Sequence, residues 1–184
     1  MSHVLVPLAQ GCEELEAVTI IDLLRRAGVE VTVAGLEQGP VTASRGVMLM
    51  PDTTLEAVLD RDFDLVVLPG GLGGAQRLEA DRRIAALLRH MSEQGRYVAA
   101  ICAAPKVLAS AGLLKDREAT AYPGILDDQA DQAGIRLSSA AVVRDGTFIT
   151  SRGPGASMDF TLTLVEILCG RETRDTVEAA LQRP

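Results

Sequence analysis

A short apolar strand leads directly into a helix at Val98-Ala99-Ala100-Ile101-Cys102-Ala103-Ala104-Pro105. Pro105 fits the first turn of a helix, because the N–H that proline lacks is not needed there. Cys102 therefore lies at the junction, with its thiol at the positive end of the helix dipole. Thiols in such positions have pKa values lowered to roughly 3.5–7.5, which makes them reactive. A buried structural cysteine is the alternative, and the position favours a functional residue.

Other short apolar strands alternate with amphipathic helices on both sides of this junction. The predicted strands are His3–Leu8, Glu30–Gly35, Leu65–Leu68 and Tyr97–Ile101, and the predicted helices are Glu14–Ala27, 81–94, Ala104–Ala111, Ser157–Leu168 and Thr173–Leu181. Two hairpins are also predicted, a small one at Val41–Ala43 with Val47–Met50 and another at Ala140–Arg144 with Thr147–Thr150. Continuously apolar strands separated by helices predict an α/β fold, with a mostly parallel sheet and helices on both faces. Ligands of such sheets bind beyond the carboxyl ends of the strands.

The composition is typical of a single globular domain over residues 1–184, with 47% hydrophobic, 23% charged and 3% aromatic residues. The formal net charge of −7 disfavours nucleic acid and anionic membranes as partners, since the sequence contains no cluster of Lys and Arg. The sequence shows neither a signal peptide nor an apolar run long enough to span a membrane. Three widely spaced cysteines, Cys12, Cys102 and Cys169, favour reduced thiols in the cytoplasm.

The sequence offers no motif for a cofactor or a metal. The glycine-rich segment Gly70–Gly74 fits neither a dinucleotide-binding fingerprint nor a P-loop. It predicts either a plain tight turn or a turn whose backbone N–H groups face a ligand. Of the two histidines, His3 begins the first strand and His90 lies off the apolar face of its helix. The spacing of the histidines and cysteines excludes an ordinary zinc site.

A partner for Cys102 must therefore be a carboxylate. Glu13, Glu14 and Glu16 lie in the first turn of a helix that begins at the same edge of the sheet. The attraction of acids to the helix dipole is sufficient to explain Glu13 and Glu14. Glu16 either points inward or is another surface acid, and the residues alone leave both possibilities open.

Five motifs occur in order along the chain. They are Gly11-x-Glu13-Glu14-x-Glu16-Ala17-Val18, Asp22-x-Leu24-Arg25-Arg26-Ala27-Gly28, Leu68-Pro69-Gly70-Gly71, Ala99-Ala100-Ile101-Cys102-Ala103-Ala104-Pro105 and Thr150-Ser151-Arg152-Gly153-Pro154-Gly155. Together they resemble the ThiJ/PfpI superfamily, in the branch that contains the parkinsonism-associated deglycase and bacterial YajL. The resemblance covers nearly the whole chain and implies a flavodoxin-like three-layer sandwich that forms a homodimer.

The resemblance also implies a catalytic site. Its reactive cysteine matches Cys102, and the partner glutamate matches Glu16. The backbone N–H donors of the site match Gly70 and Gly71, joined by Ala103.

Further positions match residues that surround the family's site. Arg26 and Arg45 match arginines of an anion pocket to which both subunits of the dimer contribute. Gly153 and Pro154 match a segment at the dimer interface near the site.

Two positions depart from other members of the superfamily. Ala103 stands where members with peptidase-type chemistry often carry histidine, which argues against peptidase activity. Tyr122 stands where the human-like branch supplies a histidine, which argues against a reaction that needs that base. YajL-like members also lack this histidine.

The residues, together with the activity that the resemblance implies, predict glyoxalase or deglycase chemistry on small reactive aldehydes or glycated groups. Cys102 would attack an aldehyde as a thiolate, and Glu16 would carry the proton that the pair shares. A redox-sensing stress protein or chaperone, whose cysteine is oxidised to a sulfinate, is the alternative. A hydrolase or hydratase is a weaker one. The sequence permits a disulfide between Cys12 and Cys102, because Cys12 lies on the loop that leads to Glu16. A cysteine that stands there by chance is the more common case.

Overall fold

The apolar strands form the centre of a seven-stranded sheet in the computed structural model, which describes residues 1–183. The strands are β1 (His3–Leu8), β2 (Glu30–Gly35), β3 (Val41–Thr42), β4 (Met48–Leu49), β5 (Thr53–Thr54), β6 (Leu65–Leu68), β7 (Tyr97–Ile101), β8 (Glu118–Ala119), β9 (Arg136–Leu137), β10 (Val142–Asp145) and β11 (Phe148–Ser151). The helices are α1 (Glu14–Arg26), α2 (Leu72–Ala80), α3 (Arg82–Glu93), α4 (Pro105–Ser110), α5 (Asp127–Ala133), α6 (Ser157–Cys169) and α7 (Arg171–Ala180).

The strand order across the main sheet is β10-β11-β7-β6-β1-β2-β5. Every neighbouring pair is parallel except β10 with β11, which form an antiparallel hairpin. The chain leaves β1 towards β2 and later returns to the other side of β1 as β6. The order of the strands therefore reverses between β1 and β6, which is where ligands of open α/β sheets bind.

Helices cover both faces of this sheet. One face carries α1, α6 and α7, which pack on one another and on a hydrophobic core that includes Val6, Ile20 and Phe160. The other face carries α2, α3, α4 and α5 over a second aliphatic core that includes Leu68, Leu88 and Leu108. The predicted α/β fold of three layers with a mostly parallel sheet is therefore confirmed.

The small hairpin is also confirmed, since β3 and β4 pair in antiparallel fashion. The second hairpin turns one residue later than predicted, because Asp145 already pairs with Phe148. The helix α2 was not predicted, since its first turn contains Gly73 and Gly74. No helix within residues 1–183 has both the length and the apolar character needed to cross a membrane.

Candidate active site

Cys102 is held in a backbone conformation that is unusual for any residue other than glycine. Its φ angle is 63°, in the left-handed region. Its N–H donates to the carbonyl of Ser151 at 2.9 Å, and its carbonyl accepts the N–H of Tyr122 at 2.8 Å. Both backbone groups of Cys102 are thus tied to neighbouring segments, which maintain the strained turn between β7 and α4. Strained turns of this kind present the nucleophile in α/β-hydrolases.

Glu16 points inward from the first turn of α1 and is fully buried. Its Oε2 accepts the N–H of Gly70 at 2.7 Å. Its Oε1 is buried and accepts no nitrogen or oxygen donor within residues 1–183. The thiol of Cys102 is the neighbour with which the carboxyl interacts. The structure therefore brings Glu16 and Cys102 together, as the resemblance implied.

Burial governs the acidity of both groups. It raises the pKa of the Glu16 carboxyl to about 7, although hydrogen bonds from the Gly70 N–H and the Cys102 thiol act to lower this pKa. Burial also raises the pKa of the Cys102 thiol, and the charge of Glu16 raises it further, to about 12. Desolvation and the charge of Glu16 thus oppose the backbone amides of Gly71 and Ala103, which favour the thiolate. The two groups titrate as a pair that retains one proton above about pH 7.

Backbone amides face this pair from two loops. The N–H groups of Gly71 and Ala103 interact with the Cys102 sulfur and lower its pKa. The N–H of Gly70 is occupied by Glu16, so among these three donors Gly70 positions the acid. Glycine is required at Gly70, because a Cβ there would lie 2.7 Å from both Cys102 Cβ and Glu16 Oε2.

Glu14 has a different role from that of Glu16. Its carboxylate binds the turn between β3 and β4, accepting the N–H of Arg45 at 2.9 Å and the hydroxyl of Ser44 at 3.0 Å. The Ser44 hydroxyl also lies 2.7 Å from a carboxylate oxygen of Glu13. The interpretation of these acids as a helix-dipole effect is therefore incomplete for Glu14, which fixes Arg45 at the start of α1.

Arg26 lies at the other end of α1 and pairs with Asp22 at 2.6 Å. Arg26 lies twelve residue steps along the helix from Glu14, which corresponds to about 18 Å at 1.5 Å per residue. The structure thus places Arg45 beside the amino-terminal turn that carries Glu16, and it does not bring Arg26 there within one chain.

Gly153 and Pro154 follow β11 at the same edge of the sheet as Cys102. A Cβ at Gly153 would meet the ring of Tyr122 at 3.5 Å, so this segment lies against the tyrosine. Tyr122 itself is 52% exposed. The contact between Tyr122 and the backbone of Cys102 was missed by the sequence reasoning, which gave no signal for the pairing of these two segments.

The remaining thiols and histidines lie outside the pair. Cys12 is buried and free, and burial raises its pKa to about 11. Cys169 is half-buried at the end of α6. His3 contacts Glu30 at 2.7 Å, and His90 is exposed on α3. No group of three or more His, Cys, Asp or Glu side chains within residues 1–183 is arranged to hold a metal ion.

Comparison with known proteins gives the same assignment from the full length of the chain. Residues 2–167 match the DJ-1/PfpI family. Protein dj-1beta of Drosophila melanogaster is 44% identical over 178 residues, covering 96% of this chain and 95% of its own. The crystal structure of that protein has a TM-score of 0.95 at 43% identity, with both chains covered completely.

Two other relatives have informative names. A protein from Pyrococcus horikoshii named deglycase is 35% identical over 165 residues, covering 90% of this chain and 98% of its own. The structure titled Toxoplasma gondii DJ-1, oxidized, has a TM-score of 0.92 at 40% identity, with 98% of each chain covered.

Proposed function

Because this chain belongs to the DJ-1/PfpI family, we propose that it is a cysteine-dependent glyoxalase or deglycase that acts without glutathione. Its substrates would be methylglyoxal, glyoxal or their early adducts on proteins, in defence against carbonyl and oxidative stress. The observation that carries the proposal is the buried Glu16 carboxyl beside the strained nucleophile Cys102. The relative named deglycase supports the same activity.

The reaction begins with a coupled proton transfer. As Cys102 Sγ attacks the aldehyde carbon, Glu16 accepts the thiol proton and a C–S bond forms while the C=O π bond opens. The N–H groups of Gly71 and Ala103 face the sulfur and are well placed to stabilise the negative charge as it moves to the aldehyde oxygen. Glu16 then gives its proton to that oxygen, which completes a hemithioacetal.

The second stage moves a hydrogen between two carbon atoms. Glu16 removes the proton from the former aldehyde carbon and delivers it to the oxygen of the neighbouring carbonyl group, which gives an enediol. The hydroxyl on the sulfur-bearing carbon then loses its proton while the neighbouring carbon gains one, which gives a hydroxyacyl thioester. Water hydrolyses the thioester, which releases the hydroxy acid and restores the thiol. The aldehyde carbon is oxidised and its neighbour is reduced, so the balance requires no external oxidant or reductant.

The raised pKa of Glu16 suits this role. A general acid–base group works best when its pKa lies near the pH of the reaction, and burial brings the pKa of Glu16 to about 7. An ordinary surface glutamate would be too weak a base to accept the thiol proton efficiently.

The proposal is tested by following methylglyoxal consumption and lactate formation in the parent, in Cys102→Ser and in Cys169→Ser. We expect Cys102→Ser to lose at least about a thousandfold in kcat/KM, since it lacks the nucleophile. Cys169→Ser should retain the parent rate, because this thiol lies at the end of α6, outside the site. Equal rates in the parent and in Cys102→Ser would refute the proposal.

A redox-sensing role is the second candidate, supported by the relative whose structure is titled oxidized. In this role peroxide would oxidise Cys102 to the sulfinate in two steps, each releasing one water. Protonated Glu16 would donate a hydrogen bond to a sulfinate oxygen. Negligible methylglyoxal turnover, together with a gain of two oxygen atoms on Cys102 by mass spectrometry, would favour the sensor over the enzyme.

We also propose that the chain forms a homodimer. Large apolar side chains are exposed on α1, on the β3–β4 hairpin and at the start of α6, namely Leu15, Val18, Val47, Met48, Met50 and Met158. A partner that lies antiparallel along α1 would bring its own Arg26 towards Arg45. Sedimentation equilibrium of the parent and of a Val18→Glu variant tests this, with a monomeric parent as the contrary result.

We propose that the protein is located in the cytoplasm, because its three free cysteines suit a reducing compartment. Its partners in that compartment would be small reactive aldehydes or glycated groups.

A further inference from the structure

The strained turn of Cys102 is held by two backbone hydrogen bonds that come from different segments. The first comes from β11, where the carbonyl of Ser151 accepts the N–H of Cys102 at 2.9 Å. The second comes from the β8 segment, residues 118–122, whose Tyr122 N–H donates to the carbonyl of Cys102 at 2.8 Å. The position of the nucleophile therefore depends on how the β8 segment is fixed against β11.

Three alternate N–H groups of the β8 segment find acceptors on the main sheet and its catalytic turn. The N–H of Glu118 donates to Asp145 Oδ2 at 2.9 Å, and the N–H of Thr120 donates to Thr150 Oγ1 at 3.0 Å. The third N–H is that of Tyr122, which reaches the carbonyl of the nucleophile. Alternate N–H groups of an extended chain point to the same side, so the three bonds form a single row. The two acceptors that precede the nucleophile in this row are side chains.

Thr150 provides the middle acceptor and is itself firmly placed. Its backbone pairs with Val143 of β10 on one side and with Ala100 of β7 on the other. Its hydrogen bond with the Thr120 N–H is buried. The next residue in the chain, Ser151, accepts the N–H of the nucleophile. Thr150 thus connects the two segments that hold the strained turn.

Loss of the Thr150 hydroxyl would leave a buried donor without its acceptor. A buried N–H that loses its partner carries the full cost of its desolvation, and here that N–H belongs to Thr120. The β8 segment would relieve this cost by moving away from β11, which would draw the Tyr122 N–H away from the carbonyl of Cys102. A misplacement of about 1 Å at a reacting group can lower a rate about a hundredfold.

We propose that Thr150 is a positioning residue for Cys102. Through the Thr120 N–H, its hydroxyl holds the β8 segment in the place from which Tyr122 fixes the strained turn. The sulfur is thereby kept beside its acid and its backbone donors. The inference rests on the proposed function only where turnover is measured, because the reactivity of the thiol can be followed separately.

The reactivity of the thiol tests the inference without any aldehyde. Iodoacetamide alkylates the sulfur with release of iodide and the thiol proton, and peptide mass spectrometry follows Cys102 alone. In the parent, the rate should rise with pH as Glu16 loses its proton, at about pH 7. In Thr150→Val the sulfur moves away from Glu16, so the midpoint should rise towards about pH 8.5, the value of an ordinary thiol. Thr150→Ser keeps the hydroxyl and should keep the parent midpoint.

Thr120 provides a matched control. It is as buried as Thr150, with 1% of each residue exposed, and its own hydroxyl oxygen has no hydrogen-bond partner within residues 1–183. Thr120→Val is therefore the same chemical change in the same region, and it leaves the N–H of residue 120 in place. We expect this variant to keep the parent midpoint. A midpoint that Thr150→Val leaves at the parent value, or that Thr120→Val shifts equally, would overturn the inference.

Turnover of methylglyoxal gives a second measure. We expect Thr150→Val to lower kcat about tenfold and to change KM by less than about twofold, because the nucleophile is displaced while no contact with the free substrate is removed. A kcat equal to that of the parent would overturn the inference. If the parent itself shows no turnover, only the proposed reaction is rejected, and the alkylation midpoints still decide the role of Thr150.

Hydrogen exchange in the parent keeps the inference testable if Thr150→Val fails to fold. One movement of the β8 segment breaks the bonds of Thr120 and Tyr122 together, so their N–H groups should exchange with protection factors within about threefold of each other. A Tyr122 N–H that stays protected while that of Thr120 exchanges at least about tenfold faster would show that the two bonds open independently. That result would overturn the inference without any variant.

Discussion

Glu14 and Glu16 lie on the first turn of the same helix, two residues apart, and both are buried, yet their acidities shift in opposite directions. Burial alone raises the pKa of both carboxyls. For Glu14, hydrogen bonds from its own N–H, from Ser44 and from Arg45 outweigh this effect and lower the pKa. Glu16 has one backbone donor, Gly70, and one thiol neighbour, and its pKa rises to about 7.

The comparison shows that the number of donors separates an acid that is held as an anion from one that keeps its proton to a higher pH. Glu14 is saturated by the turn between β3 and β4, so it is stable as an anion and has no capacity left for a substrate. Glu16 has an unpartnered Oε1 beside a nucleophile, so it can gain and lose a proton. The same helix turn therefore provides a fixed anchor and, in the proposed reaction, a proton carrier.

Activity is expected to give the largest difference between the two acids. Glu16→Gln should lower kcat/KM for methylglyoxal about a thousandfold, because the amide cannot accept the thiol proton. Glu14→Gln should lower it by less than about tenfold, since this acid only fixes the turn of Arg45.

In the parent, kcat/KM should rise with pH to a plateau above about pH 7, as Glu16 loses its proton. A flat profile between pH 5 and pH 9 would contradict the role of Glu16.

The pair formed by Glu16 and Cys102 is most sensitive to a methyl group added at Gly70. Gly70→Ala would place a Cβ 2.7 Å from Cys102 Cβ, from Glu16 Oε2 and within 2.8 Å of the Ile101 carbonyl. We expect a loss of about 3 kcal/mol in unfolding free energy and about a hundredfold in turnover. Gly73→Ala is the control, because the first atom it meets, at 3.3 Å, is the flexible end of Arg77. Similar urea midpoints for the two variants would show that the site tolerates the added methyl group.

Glu16 should also make the protein less stable as the pH rises. Its pKa is about 7 in the folded state and near 4.5 when unfolded, so the folded state binds the proton more tightly. The contribution of Glu16 to the free energy of unfolding is therefore largest below pH 4.5. It falls by about 3 kcal/mol as the pH rises from there through 7. Glu16→Gln removes this dependence. Urea unfolding of both proteins between pH 5 and pH 8 measures the difference, and parallel curves would reject the raised pKa.

Sequence reasoning located Cys102 because the apolar strand and Pro105 mark a junction at which local chemistry is visible. It could not find α2, since Gly73 and Gly74 have low helix propensity. Tertiary contact explains why glycine is used there, because a Cβ at Gly74 would lie 2.7 Å from Cys12 Cα. Close packing against the loop after β1 stabilises α2, and the local sequence contains no pattern that predicts this contact.

The acidities were harder to predict than the positions. The helix dipole at Cys102 suggested a lowered thiol pKa, but the burial of the thiol and the charge of Glu16 raise it. Both contributions depend on which residues the fold brings together. The position of Tyr122 beside Cys102 also depends on the fold, because only the short strand β8 and the polar helix α5 flank Tyr122 in the sequence.

The smallest effect is expected for the anchor, Glu14. Glu14→Gln leaves one oxygen to accept the donors of Ser44, Arg45 and Val47, so we expect a loss of about 1–2 kcal/mol in unfolding free energy at pH 7. Because its pKa is lowered in the folded state, Glu14 stabilises the parent above the pKa of the unfolded chain, and this contribution disappears as the pH falls through the folded value. The difference between parent and variant should therefore shrink on acidification, opposite to the behaviour of Glu16. Ser44→Ala removes one donor and serves as the matched control, with a smaller loss. A difference that stays constant from pH 7 down to pH 3 would show that Glu14 acts through packing and not through its charge.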